Sequence, residues 1–321
     1  TSSAASDVYK RQYQNSASVF IWELWAHNTM NDTTWQVTNI GDGTTEANAG
    51  RYVIFLIEDT IYFGAKDSSS SPQELWAHDT SNHSTWKLID SNSGSNVSLG
   101  TPYGWLRDQD RRIGDVFYFS GNNGSNSYYA LWAHNISNGS VWEVSDLNYG
   151  YGVNPYEMRT VGGVLYFSGE GNSGRELHAH NPSNGTTWLV YDIHSSPSHY
   201  DSDPEILAVV GDTLYFAAYE PTNGGELWAH DTSNASTWMV QNIRSGHYSS
   251  GPGTYMDEGA NVIGDTFYFD ADDGTHGREI WAYDTSNHSI WRVTNFQSPV
   301  NYDNVRPALY LNLVVDGVLI F

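Results

Sequence analysis

The sequence predicts an all-β protein, specifically a six-bladed β-propeller made of four-stranded antiparallel blades. Three observations lead to this fold class. A repeat runs along most of the chain, each repeat contains the pattern of four short strands, and the two ends of the chain supply complementary halves of one repeat. The sequence shows no helical periodicity.

Pairs of aromatic positions ten residues apart mark the repeat. The first lies in a segment related to Glu-Leu-Trp-Ala-His and the second follows a turn rich in Asn, Ser and Thr. The mean spacing of the copies is about 51 residues, which is typical of propeller and solenoid repeats. The first positions are Trp25, Trp76, Trp132, His178, Trp228 and Trp281, and the second are Trp35, Trp86, Trp142, Trp188, Trp238 and Trp291. We therefore expect a single propeller domain over residues 13–321, preceded by a disordered or non-native leader at 1–12.

The fifth repeat shows the four strands most clearly. Apolar residues 206–210, the turn at 211–212 and the run 213–216 predict a β-hairpin. A polar stretch with glycines then leads to 226–230, and a Ser/Asn turn leads to 237–240. The pattern predicts an up-and-down meander of four strands.

Both faces of the predicted strands carry bulky side chains. In Leu-Trp-Ala-His, Leu and Ala point to one face and Trp and His to the other. Both faces must be covered, and stacking each sheet between two similar sheets covers them, with large Trp opposite small Ala.

The ends of the chain favour a closed ring. Residues 23–40 supply only the third and fourth strands of a repeat, whereas 308–321 supply only the first and second. Pairing them would complete a sixth blade. The alternative is a truncated larger ring in which these halves belong to different blades.

Composition excludes several functions. The chain has 37 acidic and 14 basic residues and a net charge of -23, which repels nucleic acid and anionic membranes. It has no cysteine, which rules out disulfides and thiolate metal sites. No apolar run is long enough to predict membrane insertion.

Three segments together resemble a known family. Glu-Leu-Trp, a Thr/Ser-Asn turn before Thr-Trp-x-Val, and the glycine-containing stretch 271–279 are similar to the ELW-type repeats of large secreted or surface-attached bacterial and archaeal proteins. The resemblance implies an extracellular or cell-surface β-propeller, of a family mostly without assigned activity, and we expect a monomeric domain within a longer chain. This sequence has Asp-Thr-Ser-Asn-x-Ser-Thr where the family has a glycine-containing turn.

The meander topology separates two rims. The turns between strands one and two and between strands three and four share one end of a sheet, the turn rim, and the remaining links share the other end, the loop rim. Each copy has an N-x-S/T sequon on the turn rim, at Asn31, Asn82, Asn138, Asn184, Asn234 and Asn287. These asparagines predict either simple turn formation or glycosylation.

The loop rim is rich in aromatic residues. Tyrosines among Ser, Gly and Asn are typical of recognition loops, although they could also pack on their own backbone. The candidate ligand-binding residues are Tyr103, Trp105, Tyr151, Tyr156, Tyr200, Tyr248, Tyr255 and Tyr302.

Acidic residues also lie on this rim. Asp270, Asp272 and Asp273 offer the oxygen ligands that calcium prefers, but their spacing is not that of an EF-hand, and a solvated acidic turn is the alternative. No other cofactor is expected. Glutamates recur at the start of the third strand, and histidines recur near its end, each in a separate repeat. This recurrence favours structural roles for both. The glutamates would accept hydrogen bonds from backbone N–H groups of a neighbouring loop.

We expect a non-enzymatic module that binds a polysaccharide or a protein partner through the loop-rim tyrosines. No sequence motif of a nucleophile, nucleotide site or metalloprotease is present, so no catalytic residue is assigned. The alternative is a glycan-active hydrolase or lyase, for which Asp108 and Asp110, near Arg107, Arg111 and Arg112, form the only dense charged group.

Overall fold

A computed structural model describes residues 7–16, 19–40, 48–50, 54–68, 71–88, 98–99, 111–122, 129–144, 152–195, 200–254, 260–296, 313–315 and 318–320. Strands, turns and loops make up these residues, and none of them is α-helical. They accordingly contain no helix of the length and apolarity needed to cross a membrane. The all-β class is confirmed.

The described strands form seven antiparallel sheets, A to G in chain order. Sheet A contains β1 (Asp7–Ser16), β2 (Val19–Asn28) and β3 (Thr33–Gln36), and sheet B contains β4 (Ile54–Ile57), β5 (Thr60–Ala65), β6 (Glu74–Asp79) and β7 (Thr85–Lys87). Sheet C has five strands: β8 (Ser98–Leu99), β9 (Arg112–Ile113), β10 (Val116–Asn122), β11 (Ala130–Asn135) and β12 (Val141–Glu143), with both β8 and β9 paired to β10. Sheet D contains β13 (Tyr156–Val161), β14 (Val164–Gly171), β15 (Gly174–Asn181) and β16 (Thr186–Tyr191). Sheet E contains β17 (Glu205–Val210), β18 (Thr213–Glu220), β19 (Gly224–Asp231) and β20 (Ser236–Gln241). Sheet F contains β21 (Asn261–Ile263), β22 (Thr266–Asp272), β23 (Arg278–Asp284) and β24 (Ser289–Arg292), and sheet G contains β25 (Leu313–Val315) and β26 (Val318–Ile320).

Sheets B, D, E and F confirm the predicted four-strand meander, because their strands are paired in chain order. One cross-strand row illustrates the register: Tyr215 lies opposite Ala229, and Ala229 lies opposite Trp238. The equivalent row in sheet F is Tyr268, Ala282 and Trp291. The small alanine in the middle of each row leaves room for a large side chain of an adjacent sheet.

The chain divides into two compact units. Unit 1 consists of Thr1–Pro102 and Gly114–Val144, and unit 2 of Tyr103–Ile113 and Ser145–Phe321. Within unit 1, Leu24 of sheet A packs in a buried cluster with Phe63 of sheet B, and Leu75 of sheet B packs with Phe117 of sheet C.

The same contact recurs in unit 2. Leu177 of sheet D shares a buried cluster with Phe216 of sheet E, and Leu227 of sheet E shares one with Phe269 of sheet F. In all four clusters the Tyr/Leu/Ala face of one sheet meets the Phe/Trp face of the next one along the chain. This contact confirms, within each unit, the predicted stacking of two-faced sheets.

The two tryptophans of a repeat have different environments. The first packs in the cluster between sheets, as Trp228 does on sheet D and Trp281 on sheet E. The second lies on the fourth strand, at the outer edge of the sheet, and is only partly covered. Its exposed fraction is 38% at Trp86, 39% at Trp142, 38% at Trp188 and 41% at Trp291. The expectation that neighbouring sheets bury all the indoles is therefore wrong for these four.

The ends of the chain differ from the prediction. β2 pairs with β1 over its whole length, from Asn28 opposite Asp7 to Val19 opposite Ser16, so part of the expected leader is a strand. An extended segment beside β2 pairs the backbone groups of an otherwise open edge. Among the described residues, β25 and β26 pair only with each other. A head-to-tail sixth blade, the six-bladed count and the single domain over 13–321 stay predictions.

The turn between strands three and four keeps one backbone geometry in spite of its variable sequence. The residue after the sequon asparagine has a positive φ in all six copies: Asp32 (56°), His83 (60°), Gly139 (74°), Gly185 (71°), Ala235 (58°) and His288 (58°). The turn therefore has the same backbone geometry with and without glycine, at the cost of backbone strain where the residue is not glycine.

The histidine near the end of the third strand is a structural residue. It is buried in four sheets, and in two of them its ring contacts a tyrosine of the preceding sheet, with centroids 5.7 Å apart for Tyr62–His134 and 5.6 Å apart for Tyr166–His230. Its Nδ1 shares a hydrogen bond with a threonine hydroxyl on the fourth strand, at 2.8 Å for His78–Thr85, 2.9 Å for His180–Thr187 and 2.9 Å for His230–Thr237. Burial lowers the pKa of each of these three histidines, so the neutral form is favoured.

Sheet C lacks this hydrogen bond. The residue opposite His134 is Val141, and Nδ1 of His134 has no hydrogen-bond partner among the described residues.

We predict that Val141→Thr raises the free energy of unfolding by about 1 kcal/mol, because it supplies the hydroxyl found in the other sheets without changing side-chain volume much. Chemical denaturation measures the change.

Thr237→Val is the matched control, since it should remove the same bond from His230 and lower stability by about 1 kcal/mol. Equal destabilisation by both substitutions would contradict the prediction.

A second prediction concerns the positive-φ position. Ala235→Gly should raise the free energy of unfolding by about 1 kcal/mol, because glycine adopts this backbone conformation without steric strain. Gly185→Ala, where a Cβ would meet nothing within 4 Å, should lower it by a similar amount through backbone strain alone. Thermal and denaturant unfolding measure both, and a loss of stability in Ala235→Gly would show that the strain argument is wrong.

Candidate functional site

Hydrogen bonds within each sheet define its two rims. On the turn rim, the turn after the third strand donates to the turn after the first, as from Thr232 N–H to the Asp212 carbonyl at 2.9 Å. The same bond joins Thr285 to Asp265 at 2.8 Å. The loop rim is at the opposite end, where the links between sheets lie. This arrangement confirms the predicted sorting of the loops in the described sheets.

Buried glutamates fix the links on the loop rim. In sheet E, Glu226 accepts hydrogen bonds from Ile243 N–H at 2.9 Å, from the Ser250 hydroxyl at 2.7 Å and from Ser250 N–H at 3.2 Å. Glu176 of sheet D is equally buried and accepts from Ile193 N–H at 3.1 Å and the Ser202 hydroxyl at 2.5 Å. The interpretation of these glutamates as acceptors for loop backbone N–H groups is confirmed. They are structural residues.

Two tyrosine side chains project from the loops that these glutamates hold in place. Tyr200 and Tyr248 follow sheets D and E at equivalent places, and 56% and 57% of their surfaces are exposed. Their backbones lie against two glycines, since a Cβ on Gly174 would lie 2.5 Å from the Tyr200 carbonyl oxygen and one on Gly224 would lie 2.6 Å from the Tyr248 carbonyl carbon. The close approach requires glycine and fixes the position of each tyrosine.

The exposed rings are held by contacts with neighbouring side chains. The Tyr200 ring stacks on His194, with centroids 5.2 Å apart and planes at 23°. The Tyr248 ring stacks on His247 at 4.3 Å and 29°, and the Arg244 guanidinium lies 5.4 Å from its centroid. A ring that is held by such contacts and is still more than half exposed is a preorganised surface for a flat apolar ligand group.

Tyr156 has a different role. It is half-buried, and the Arg175 guanidinium lies 4.5 Å from its ring centroid. Burial raises the pKa of Tyr156 to about 12. Arg175 also donates to the Asn154 carbonyl at 2.9 Å and to Glu170 at 2.5 Å, so Tyr156 is part of a packed network.

Of the predicted ligand-binding aromatics, Tyr103, Trp105, Tyr151, Tyr255 and Tyr302 lie outside the described residues.

The three aspartates of the predicted calcium site each have a cationic or histidine partner. Asp270 binds Arg278, Asp272 lies 3.2 Å from Arg244, and Asp273 lies 2.7 Å from His276. Over the part of the chain that the structure describes, no group of acidic and histidine side chains is arranged to hold a metal ion. The geometry therefore gives no support to calcium at these residues, and calcium binding stays a prediction.

Two carboxylates that the sequence did not single out lie on first strands of unit 2. Glu157 is in β13 of sheet D and Glu205 is in β17 of sheet E. Both strands are irregular there, and Glu157 has a φ of 52°. The sequence did contain a signal, since both repeats place an acidic residue at the start of an apolar strand.

The environment of this pair favours protonation. Burial raises the pKa of Glu205 to about 8, with further contributions from Glu157 and Asp270, against the opposing charge of Arg278. Burial likewise raises the pKa of Glu157 to about 7, against Arg159 and a hydrogen bond from the Ile206 backbone. Two such groups on neighbouring strands could donate and accept protons near neutral pH.

The enzyme residues considered from the sequence are mostly not described. Asp108, Asp110 and Arg107 lie outside the described residues, and Arg111 is buried. The structure thus tests neither their proximity nor their place on a rim.

The sequon asparagines are exposed on the turn rim, and their side chains form the turn. Asn234 Oδ1 accepts from Ser236 N–H at 2.9 Å, and Asn184 Oδ1 accepts from Thr186 N–H at 3.0 Å. The predicted turn-forming role is confirmed, and the predicted glycosylation is compatible with this exposure.

Comparison with known proteins gives the fold. No family model and no curated protein matches the chain. Among solved structures it is similar to an oligogalacturonate lyase in complex with manganese, at 12% identity over 98% of this chain and 77% of that one, with a TM-score of 0.51. It is also similar to a puromycin hydrolase mutant (11%, 92% and 46%, TM-score 0.53) and to a Mycobacterium tuberculosis puromycin-hydrolyzing peptidase (10%, 90% and 45%, TM-score 0.52).

The fold is β-propeller-like. Its four-stranded sheets are thus blades of the propeller kind. The chain spans less than half the length of the two puromycin-hydrolysing proteins, at 46% and 45%. At identities of 10–12% these likenesses establish the propeller-like fold alone.

The raised pKa of Glu205 gives a prediction about pH. Its folded pKa, about 8, exceeds the usual value of 4.5, so its favourable contribution is complete below pH 4.5 and is lost as pH rises through 8. Glu205→Gln should therefore flatten the decline in stability between pH 5 and 9, where this one group contributes up to about 1.4 kcal/mol per pH unit. Unfolding free energies across this range measure the slope.

Glu220→Gln serves as the control, because the pKa of Glu220 is lowered and the group stays ionised throughout that range. Identical slopes for Glu205→Gln and the unsubstituted chain would contradict the prediction.

Proposed function

We propose that this chain is an extracellular or cell-surface propeller of the ELW type, with six blades, that binds a polysaccharide or a protein partner without catalysing a reaction. The observation that supports binding most strongly is the pair of exposed rings at Tyr200 and Tyr248, which occupy equivalent places on fixed loops. A repeated, preorganised aromatic surface costs little conformational entropy on binding.

The net charge of the chain limits which classes of ligand it can bind. A net charge of -23 disfavours anionic polymers, nucleic acid and anionic membrane surfaces. Tyrosine rings with nearby Ser, His and Arg side chains suit a neutral sugar polymer, whose rings have an apolar face and a hydroxylated edge. A neutral polysaccharide is therefore the partner we favour, with a protein as the other candidate.

We predict that Tyr200→Ala and Tyr248→Ala each weaken binding to a neutral polysaccharide about tenfold, through the loss of roughly 1.4 kcal/mol of ring contact. A glycan array identifies the ligand, and calorimetry with and without calcium measures the affinities. Trp291→Ala is the matched control, because Trp291 is an aromatic residue with 41% of its surface exposed but lies near the start of the fourth strand of sheet F, toward the turn rim.

Binding that survives both loop-rim substitutions, or that Trp291→Ala weakens equally, would show that the site lies elsewhere. No response to any glycan would leave protein binding as the function. A requirement for calcium would support the metal prediction at Asp270, Asp272 and Asp273.

One observation favours a second candidate, a glycan-active enzyme. Glu157 and Glu205 provide two carboxyl groups of raised pKa on neighbouring first strands, a pairing that glycosidases use as acid and base. Release of reducing sugar from an array-positive glycan, abolished by Glu157→Gln and by Glu205→Gln, would establish this function. Full binding without any turnover would leave the binding module.

A further inference from the structure

Each sequon asparagine is followed four residues later by the second tryptophan of its repeat. The pairs are Asn31–Trp35, Asn82–Trp86, Asn138–Trp142, Asn184–Trp188, Asn234–Trp238 and Asn287–Trp291. Asparagine is exposed in every pair, and the indole is more than a third exposed in four of them. Turn formation explains the asparagine and its hydroxyl partner, but it requires no aromatic side chain on the adjoining strand.

The geometry at Asn184 brings the three side chains to one face. The Thr186 hydroxyl donates to Asn184 Oδ1 at 2.7 Å. Thr186 and Trp188 are two residues apart in β16, so both side chains point to the same face, about 7 Å apart. The Asn184 amide therefore lies on the turn that begins the strand, and the exposed Trp188 indole lies on the same strand two residues past Thr186.

The side-chain amide nitrogens of the sequon asparagines fall into two groups, those that donate to an aspartate and those that do not. In three blades the third strand ends in aspartate, whose carboxylate accepts from the sequon Nδ2 atom, at 2.8 Å for Asn82–Asp79, 2.7 Å for Asn234–Asp231 and 2.9 Å for Asn287–Asp284. Where the third strand ends in asparagine, at Asn28, Asn135 and Asn181, the Nδ2 atoms of Asn31, Asn138 and Asn184 have no hydrogen-bond partner in the described part of the chain. Of these three asparagines, only Asn138 and Asn184 lie beside an exposed indole, Trp142 and Trp188. These two nitrogens are open to solvent.

We infer that Asn138 and Asn184 carry Asn-linked glycans whose first sugar packs on Trp142 and Trp188. The inference rests on the export that the proposed function includes. In the modification, the bond between the anomeric carbon and the phosphate oxygen of a glycosyl diphosphate donor breaks. A bond from that carbon to Nδ2 forms, and the Nδ2 proton leaves with the diphosphate.

Two features make these sites suitable acceptors. Gly139 and Gly185 follow the asparagines, and a Cβ on either would meet nothing within 4 Å, so the tip of each turn is unobstructed. The indoles are 39% and 38% exposed, an apolar surface that one sugar face would remove from water. At Asn82 and Asn287, an attached sugar would compete with the carboxylate hydrogen bond that holds the turn.

The test is expression of the chain, with an export signal, in a eukaryotic secretory host, followed by glycopeptide mass mapping. An endoglycosidase then trims each glycan to its first sugar, and oxidative footprinting and thermal unfolding follow. We expect sugar at Asn138 and Asn184, slower oxidation of Trp188 than in the chain from a host without this modification, and a Tm about 2 °C higher.

The double substitution Trp142→Ala and Trp188→Ala, made in both hosts, should remove that rise in Tm, and Trp188→Ala alone should halve it, whereas Trp291→Ala, next to the tied Asn287 amide, should leave it unchanged. No sugar at Asn138 and Asn184 in secreted protein, or sugar that leaves Trp188 oxidation and Tm unchanged, would overturn the inference. Polysaccharide binding at Tyr200 and Tyr248 is measured on the opposite rim, so a failure of the proposed function is seen separately.

Discussion

The contact between unlike apolar faces of successive sheets is the interaction on which the rest of the structure depends, and sheets B and E are packed in this way through both of their faces. The Tyr/Leu/Ala face of sheet E buries Leu227 against Phe269 of sheet F, and the same contact recurs between D and E. Burial of this surface is the main favourable term in folding. It also fixes the rims, because sheets stacked in register place all short turns at one end and all links at the other.

The buried glutamates connect the packed sheets to the loops that carry the candidate binding surface. An ionisable group inside an apolar stack costs free energy unless hydrogen bonds compensate, and the loop backbone supplies them to Glu226 and Glu176. The loop is thereby held against the sheet that precedes it. Tyr200 and Tyr248 project from loops fixed in this way, so the stability of the blade and the position of the candidate binding surface have one cause.

Much of the fold could be predicted from the sequence, because the same residue pattern recurs in several repeats. The strands, their order, the separation of turns from links and the role of the repeated glutamates all follow from periodicity and turn residues. The pairing of β1 with β2 did not, since residues 7–16 match no repeat. The exposure of the second tryptophan was also missed, because a residue pattern does not show which strand is outermost. Glu157 and Glu205 could be noticed as acidic residues at the starts of strands, but the irregularities in those strands have no reliable sequence signal, so the environment of the two carboxyl groups could not be predicted.

The directional contact between sheets has an evolutionary consequence. Each junction joins two different surfaces, and the same two surfaces are used at every junction described within the units, as in a head-to-tail assembly. A duplicated repeat would therefore fit between any two neighbours without altering either one. A gene encoding such a chain can gain or lose whole repeats by recombination, whereas a break inside a repeat would leave one surface without its complement.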